Sequence, residues 1–235
     1  MKNYFLYILC FVFIAFISCN KGNVYSSSQS NTAKQISDSS SSKLTVNLTE
    51  DQKKVLEGAK KCLEQQFSYD LSMAYHTLTY EDGVNTGRKV FPNGDLDPST
   101  GVCTDVIVRA LRFGNVVDLQ EALNSDVSKN FSIYPMKRWG AKKPDSNIDH
   151  RRVPNLEVWL AKNWKKLDNN ICEPGDIVVW DMNQDGWGDH IGIVSDKFVN
   201  GNHYVIHNFP SPGFVAEEDI LNRWKIIGQY RINKQ

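Results

Sequence analysis

Three side chains in this sequence carry the chemistry of a covalent hydrolytic site if the fold brings them together: Cys103, His190 and His207. Cys103 stands just after Gly101, at the start of a run in which Val106, Ile107, Ala110 and Leu111 recur at helical spacing. A cysteine that opens a helix meets unpaired backbone N–H groups and the positive end of the helix dipole. Both stabilise a thiolate, so a lowered Cys103 pKa is expected. His190 opens the strand-like run HIGIVS. An imidazole held on a strand near a thiol makes the cysteine–histidine pair of nucleophilic catalysis, and such partners meet in space, not in sequence. His207 lies in the next strand-like run, HYVIHN. On an antiparallel neighbour it would reach the other ring nitrogen of His190 and fix its tautomer, or it serves the core as a structural histidine.

Three charged residues are candidates for substrate contact. Asp105 lies two positions past the cysteine, where it binds substrate, steadies the Arg151/Arg152 region or simply complements the helix N-terminus. Arg151 and Arg152 sit in the polar segment NIDHRRVPNL. A guanidinium there would take a substrate carboxylate in a bidentate fork, or pair with Asp145 and Asp149 to hold the loop. Asp181-Met182-Asn183-Gln184-Asp185-Gly186 imitates the start of an EF-hand loop. Its twelfth position is Gly192 instead of a bidentate Glu, and its flanks are strand-like. It reads as a hairpin turn. No metal and no cofactor are expected.

The elements that must position these groups can be read in outline. Thr49 with Gln52 forms a capping box for a helix running to about Gln66, with Val55, Ala59, Cys62, Leu63 and Gln66 on one face. Cys62 on that face reads as a buried small hydrophobe. Residues 80–101 are turn-forming, with one short strand expected around Arg88 to Phe91. The Cys103 helix runs to Phe113 and is expected to stop at a left-handed Gly114. Leu156 to Leu167, after Pro154, is a further amphipathic helix. Asp176–Asp181, His190–Ser195, His203–Asn208 and Ile226–Ile232 are strand-like, separated by Gly, Asn, Asp and Pro. Helices first and a meander of strands afterwards argue an α+β fold.

The ends place this domain. Tyr4 to Ser18 is an uncharged 15-residue run after Lys2, shorter than the roughly 20 residues a spanning helix needs. Residues 1–18 therefore read as a signal peptide. Phe16-Ile17-Ser18-Cys19 resembles a bacterial lipobox, with Phe16 where Leu is usual. That makes Cys19 the lipidated residue and the membrane a partner through an N-terminal lipid anchor. Residues 19–44 form a Ser-rich tether with too little apolar surface to fold. Residues 45–235 suit one domain. The 27 basic and 27 acidic residues cancel, so no nucleic-acid partner is expected. Of five cysteines, Cys62, Cys103 and Cys172 remain in the folded part, an odd number in an oxidising compartment.

GVCTDVIVRALR, PGDIVVW, DHIGIVSD and VIHN follow, in this order, the NlpC-type branch of papain-like cysteine peptidases, which they resemble over roughly residues 88 to 231. With PNGDLDPSTG and SNIDHRRVPNL added, the chain is similar to the family known as domain of unknown function 1287. The resemblance implies a papain-like fold, helices packed on a small antiparallel sheet. It implies Cys103 as nucleophile, His190 as base and His207 as orienting residue, with His203 and Asn208 as rivals for the third role. Val102 and Thr104 replace the Asp and Ser common beside the cysteine in the NlpC pattern, and residues 139–165 are inserted before the sheet. The reading that follows is a cell-envelope cysteine hydrolase, an amidase or endopeptidase, acting on an amide bond in peptidoglycan peptides, whose stem carboxylates suit Arg151 or Arg152. An acyltransferase using the same site, or a non-catalytic lipid-tethered binding module, are the alternatives. The binding module requires an unreactive Cys103.

Overall fold

The computed structural model describes residues 47–168 and 171–233. The expected signal peptide, the lipidated Cys19 and the tether to residue 44 lie outside the described residues. Among the described residues no helix is long and apolar enough to cross a membrane.

The first helix, α1 (Glu50–Gln65), starts as its sequence demands. The Gln52 N–H donates to Thr49 Oγ1 at 3.2 Å and the Thr49 N–H donates to Gln52 Oε1 at 3.1 Å, closing the capping box. Val55, Ala59 and Cys62 are buried on its inner face. Beyond it, Ser68–Tyr69 (β1) pairs in parallel with Thr100–Gly101 (β4). Between them, Tyr80–Glu81 (β2) and Val84–Asn85 (β3) form a small hairpin. The strand expected at Arg88 to Phe91 is absent, because this Pro- and Gly-rich stretch is turn and loop.

Helix α2 (Cys103–Phe113) packs against α1 so closely that two glycines are required. A Cβ at Gly58 would lie 1.9 Å from the Ala110 carbonyl oxygen, and one at Gly114 would lie 2.3 Å from that of Lys54. Gly114 is not left-handed, as its position after the helix implied. It has φ −82°, and Asn115, at φ 51°, makes the left-handed turn. Gly114 is needed for the interhelical approach. Two more helices follow, α3 (Leu119–Asn130) and α4 (Val153–Asn163), the latter with Pro154 in its first turn. α4 ends before Leu167, and Lys165–Lys166 (β5) turns into the sheet instead.

The remaining strands are β6 (Ile177–Asp181), β7 (His190–Val199), β8 (Asn202–Asn208), β9 (Val215–Glu218) and β10 (Lys225–Arg231). They form one antiparallel six-stranded sheet in the order β5-β10-β6-β7-β8-β9. Among the described residues, four α-helices with such a sheet make the domain α+β. One sheet face sets Ile177, Val179, Ile191, Ile193 and Ile206 against α1 and α2. The other gathers Val178, Trp180, Val194 and Val205 with Ile220 and Leu221. Strand β6 is buried on both faces, which is why it is apolar without alternation. Each fully buried Val, Ile or Leu here contributes about 1.5–3 kcal/mol.

Candidate active site

The start of α2 is held by side chains from far along the chain. Val102, the N-cap, has no acceptor of its own. The Asp105 carboxylate reaches back instead and accepts the Val102 N–H at 2.7 Å. Arg151 forks onto both Asp105 oxygens at 2.7 and 2.9 Å. Its remaining nitrogen donates to the carbonyls of Met73 and Ala74 at 3.1 and 2.6 Å. The side chains of Arg151 and Asp105 are 1% and 4% exposed. Neither offers a surface to a ligand, so the substrate-contact role expected of them is replaced by a positioning one: they pin the turn that presents Cys103. Gly101 is part of that turn, since a Cβ there would sit 2.9 Å from the Phe67 ring and 3.0 Å from Asp105 Cβ.

The cysteine meets the sheet at the start of β7. Backbone N–H groups of Ile191, Thr104 and Cys103 itself are directed at the Cys103 sulfur. Ile191 follows His190 on β7, so the thiol rests against the strand end that carries the imidazole. Burial raises the Tyr69 phenol's pKa, and the nearby Cys103 adds to it.

His190 and His207 are brought together by register. Ile193 pairs with Ile206 and Val194 with Val205. Continuing that register sets Gly192 beside His207, and a Cβ on Gly192 would lie 3.3 Å from His207 Cβ. With no side chain at Gly192, the His207 ring leans across to its diagonal neighbour. His190 Nε2 and His207 Nδ1 are 2.9 Å apart. His207 Nε2 then lies 3.0 Å from Glu218 Oε2 on β9. The hydrogen bond occupies Nε2 of His190, so proton exchange with a thiol would use Nδ1. Trp180, directly opposite His190 on β6, stacks on its ring at 5.5 Å and 27°. Phe209 and Trp224 stand edge-on at 5.0 and 5.7 Å.

This enclosure decides the resting charges. Burial in the aromatic cage, and secondarily the neighbouring His207, push the His190 pKa down to about 3. For Cys103, burial and then the Asp105 charge push the thiol up to about 12, against the three N–H groups that favour the thiolate. The residue keeps some solvent contact, but the sulfur is packed among its neighbours. The lowered pKa expected at a helix N-terminus is therefore overturned, because desolvation outweighs the local N–H groups. The resting pair is a neutral thiol and a neutral imidazole.

The same burial makes stability acid-sensitive. His150, fully buried, is also held down to about 3 by burial and then by the nearby Arg112 and Arg151 charges. In the unfolded chain each histidine protonates near pH 6.5. Between that pH and about 3 the unfolded state binds more protons, so stability falls as acid is added. The urea midpoint is expected to drop steadily from pH 7 to pH 4.5, with a slope of up to ~1.4 kcal/mol per pH unit for each such histidine. A midpoint flat over that range would contradict neutral burial of both.

The other candidates fall into place by contact. His203 is spent on the Ser195 carbonyl at 2.9 Å and on the Phe198 ring, at the far end of the β7–β8 hairpin. Asn208 donates to the carbonyls of Phe67 and Gly101. Neither reaches His190 as His207 does. Arg152 stacks on Trp139 at 4.3 Å and bonds Asp149 at 3.1 Å. Asp181, Asp185 and Asp189 place carboxylate oxygens within 4.8 Å of one another. Asp181 and Asp189 already accept N–H groups of the hairpin loop, which accounts for the motif as a turn. Cys62 is buried with its thiol toward the Val106 carbonyl, and Cys62, Cys103 and Cys172 are all unbridged. A cleft of about 710 Å³ lies elsewhere, lined by Asp95, Arg109, Arg112 and Asp118 among others. Its arginines are paired with those aspartates and with the Gly94 carbonyl. Glu218, Tyr69 and the cage of Trp180, Phe209 and Trp224 have no signal in residue spacing. They belong to the site only through tertiary contact.

The family described as Domain of unknown function (DUF1287) matches residues 59–232. The chain is 42% identical over 182 residues to the uncharacterized protein YijF of Escherichia coli (strain K12), covering 75% of this chain and 80% of that protein. Two crystal structures of an N-acetylmuramoyl-L-alanine amidase from Bacteroides uniformis ATCC 8492 are similar at a TM-score of 0.45 each. They are 15% and 13% identical and cover 79% of this chain and 100% of theirs.

Proposed function

We propose that this chain, which belongs to the DUF1287 family, is a cysteine amidase of papain-like, NlpC-type build that cleaves an amide bond in peptidoglycan peptides. The observation that carries this reading is the joining of Cys103 to the His190 strand end, with His190 Nε2 tied to His207 Nδ1 at 2.9 Å. A nucleophile, a base and an orienting group are the parts that acyl transfer through a thioester requires.

The chemistry starts from the neutral pair. Cys103 Sγ attacks the carbonyl carbon as its proton passes to Nδ1 of His190. The Cys103 N–H would stabilise the developing oxyanion. The C–N bond breaks as the imidazolium returns its proton to the leaving amine. Water then adds to the thioester with His190 as base, releasing the carboxylic acid and restoring the thiol. Arg152, unlike Arg151, keeps partial exposure and is the residue of the pair left to meet a stem-peptide carboxylate. A lipidated Cys19 and its tether would hold this site on the outer side of a membrane, in keeping with such a substrate.

Purified protein incubated with muropeptides should yield new amine and carboxylate termini, read by mass spectrometry. Cys103→Ala should lower turnover by at least ~10³-fold while leaving the fold intact. Undiminished turnover by that variant, or no turnover by the parent, would sink the assignment.

A further inference from the structure

We propose that Glu218 is a positioning residue that sets the tautomer of both imidazoles, so that His190 presents an unprotonated Nδ1 to Cys103. The proposal rests on the reading of Cys103 and His190 as nucleophile and base. It starts from the row of three groups, His190 Nε2 to His207 Nδ1 at 2.9 Å and His207 Nε2 to Glu218 Oε2 at 3.0 Å.

Each neutral imidazole carries one N–H and one lone pair, and a carboxylate only accepts. With Glu218 as acceptor, His207 must carry its proton on Nε2. Its Nδ1 is then a lone pair, and the partner at 2.9 Å must be the donor. His190 is thereby protonated on Nε2, and its Nδ1 is the free base. The opposite assignment would put a proton on His190 Nδ1 and leave nothing to take the thiol proton. The row transmits a choice made at the sheet edge to a nitrogen two rings away.

The surroundings give this choice to Glu218 and not to water. The His190 and His207 side chains are almost wholly buried, whereas the Glu218 side chain is 33% exposed. The β8–β9 register pairs His207 with Ala216, so Glu218 is its diagonal same-face neighbour, within reach of a long side chain. The charged and titratable groups facing His207 are Glu218 from β9, His190 from β7 and Arg223 from the β9–β10 connection. The one facing His190 is His207. Arg223 opposes a positive charge on His207, and Glu218 favours it. When His190 takes the thiol proton, Glu218 is the anion at the far end of the row that counters Arg223.

The test is Glu218→Gln. A Gln amide can either donate to or accept from His207 Nε2, so it permits both proton arrangements. In ¹⁵N-labelled protein, two-bond N–H correlations identify each imidazole tautomer. The parent should show the proton on Nε2 of both His207 and His190. Glu218→Gln should show a population with the proton on His190 Nδ1, and turnover should fall at least about tenfold, less than the ~10⁴ of a wholly wrong tautomer. Glu218→Asp keeps an acceptor-only group and should keep the parental tautomers. Unchanged tautomers in Glu218→Gln, or a Glu218→Asp protein as altered as Glu218→Gln, would overturn the proposal. The spectrum needs no substrate. Parental tautomers as expected in a protein that turns over no muropeptide would count against the amidase reading and not against Glu218.

Discussion

Replacing Arg151 with Ala is expected to cost about 3–5 kcal/mol of stability, because it leaves the Asp105 carboxylate buried without its partner. For a domain of this size that corresponds to a melting temperature lower by roughly 6–20 °C. The loss has three parts: the fork onto Asp105, the bonds to the Met73 and Ala74 carbonyls, and the packing of the buried side chain. The first dominates, since the guanidinium holds the Asp105 carboxyl below the usual carboxylate range against a desolvation that pushes the other way. The pair's contribution is present at neutral pH and is lost only as pH falls through that depressed value. Replacing both partners by apolar residues, Asp105→Leu with Arg151→Met, should cost less than Arg151→Ala alone, because no charge is stranded. Melting followed by circular dichroism at pH 7 checks both. Arg151→Ala melting within 2 °C of the parent would show that the pair does not carry the turn before Cys103.

That pair also marks the limit of what residue order reveals. Asp105 and Arg151 are distant in sequence, and nothing local distinguishes a buried fork from a ligand-binding one. Elements with strong internal periodicity were legible. The α1 capping box, the α2 stripe and the apolar runs of β6, β7, β8 and β10 all follow from period and turn residues. β9 was not legible, because Val215-Ala-Glu-Glu218 is short and half polar and becomes a strand only by pairing with β8. Glu218 went unseen with it. Tyr69 was hidden for a related reason, sitting on a two-residue strand defined by its partner at Gly101. Gly114 was recognised as special, but the reason was wrong: the constraint is the Lys54 carbonyl of a neighbouring helix.

The thiol's reactivity is expected to keep rising well past neutrality, and this follows from the one local rule that tertiary structure reverses. A helix N-terminus favours a thiolate. At Cys103 that preference is met by burial and by the Asp105 charge, which together push the thiol up to about 12. The reacting species with iodoacetamide is the thiolate, whose fraction below the pKa grows tenfold per pH unit. The alkylation rate of Cys103 should therefore climb by about a thousandfold between pH 7 and pH 10, with no plateau. A preformed thiolate–imidazolium pair would instead give a rate that levels off below pH 7. Cys62 and Cys172 are likewise raised to about 12 by burial and are less accessible, so the modified peptide must be identified by mass spectrometry. His190→Ala should leave the alkaline rise in place, since His190 is held neutral and supplies no positive charge to lower the thiol. The same variant should abolish muropeptide turnover, where the base must take the proton during attack. A plateau near neutral pH that His190→Ala removes would establish a resting ion pair and refute the neutral start of the mechanism.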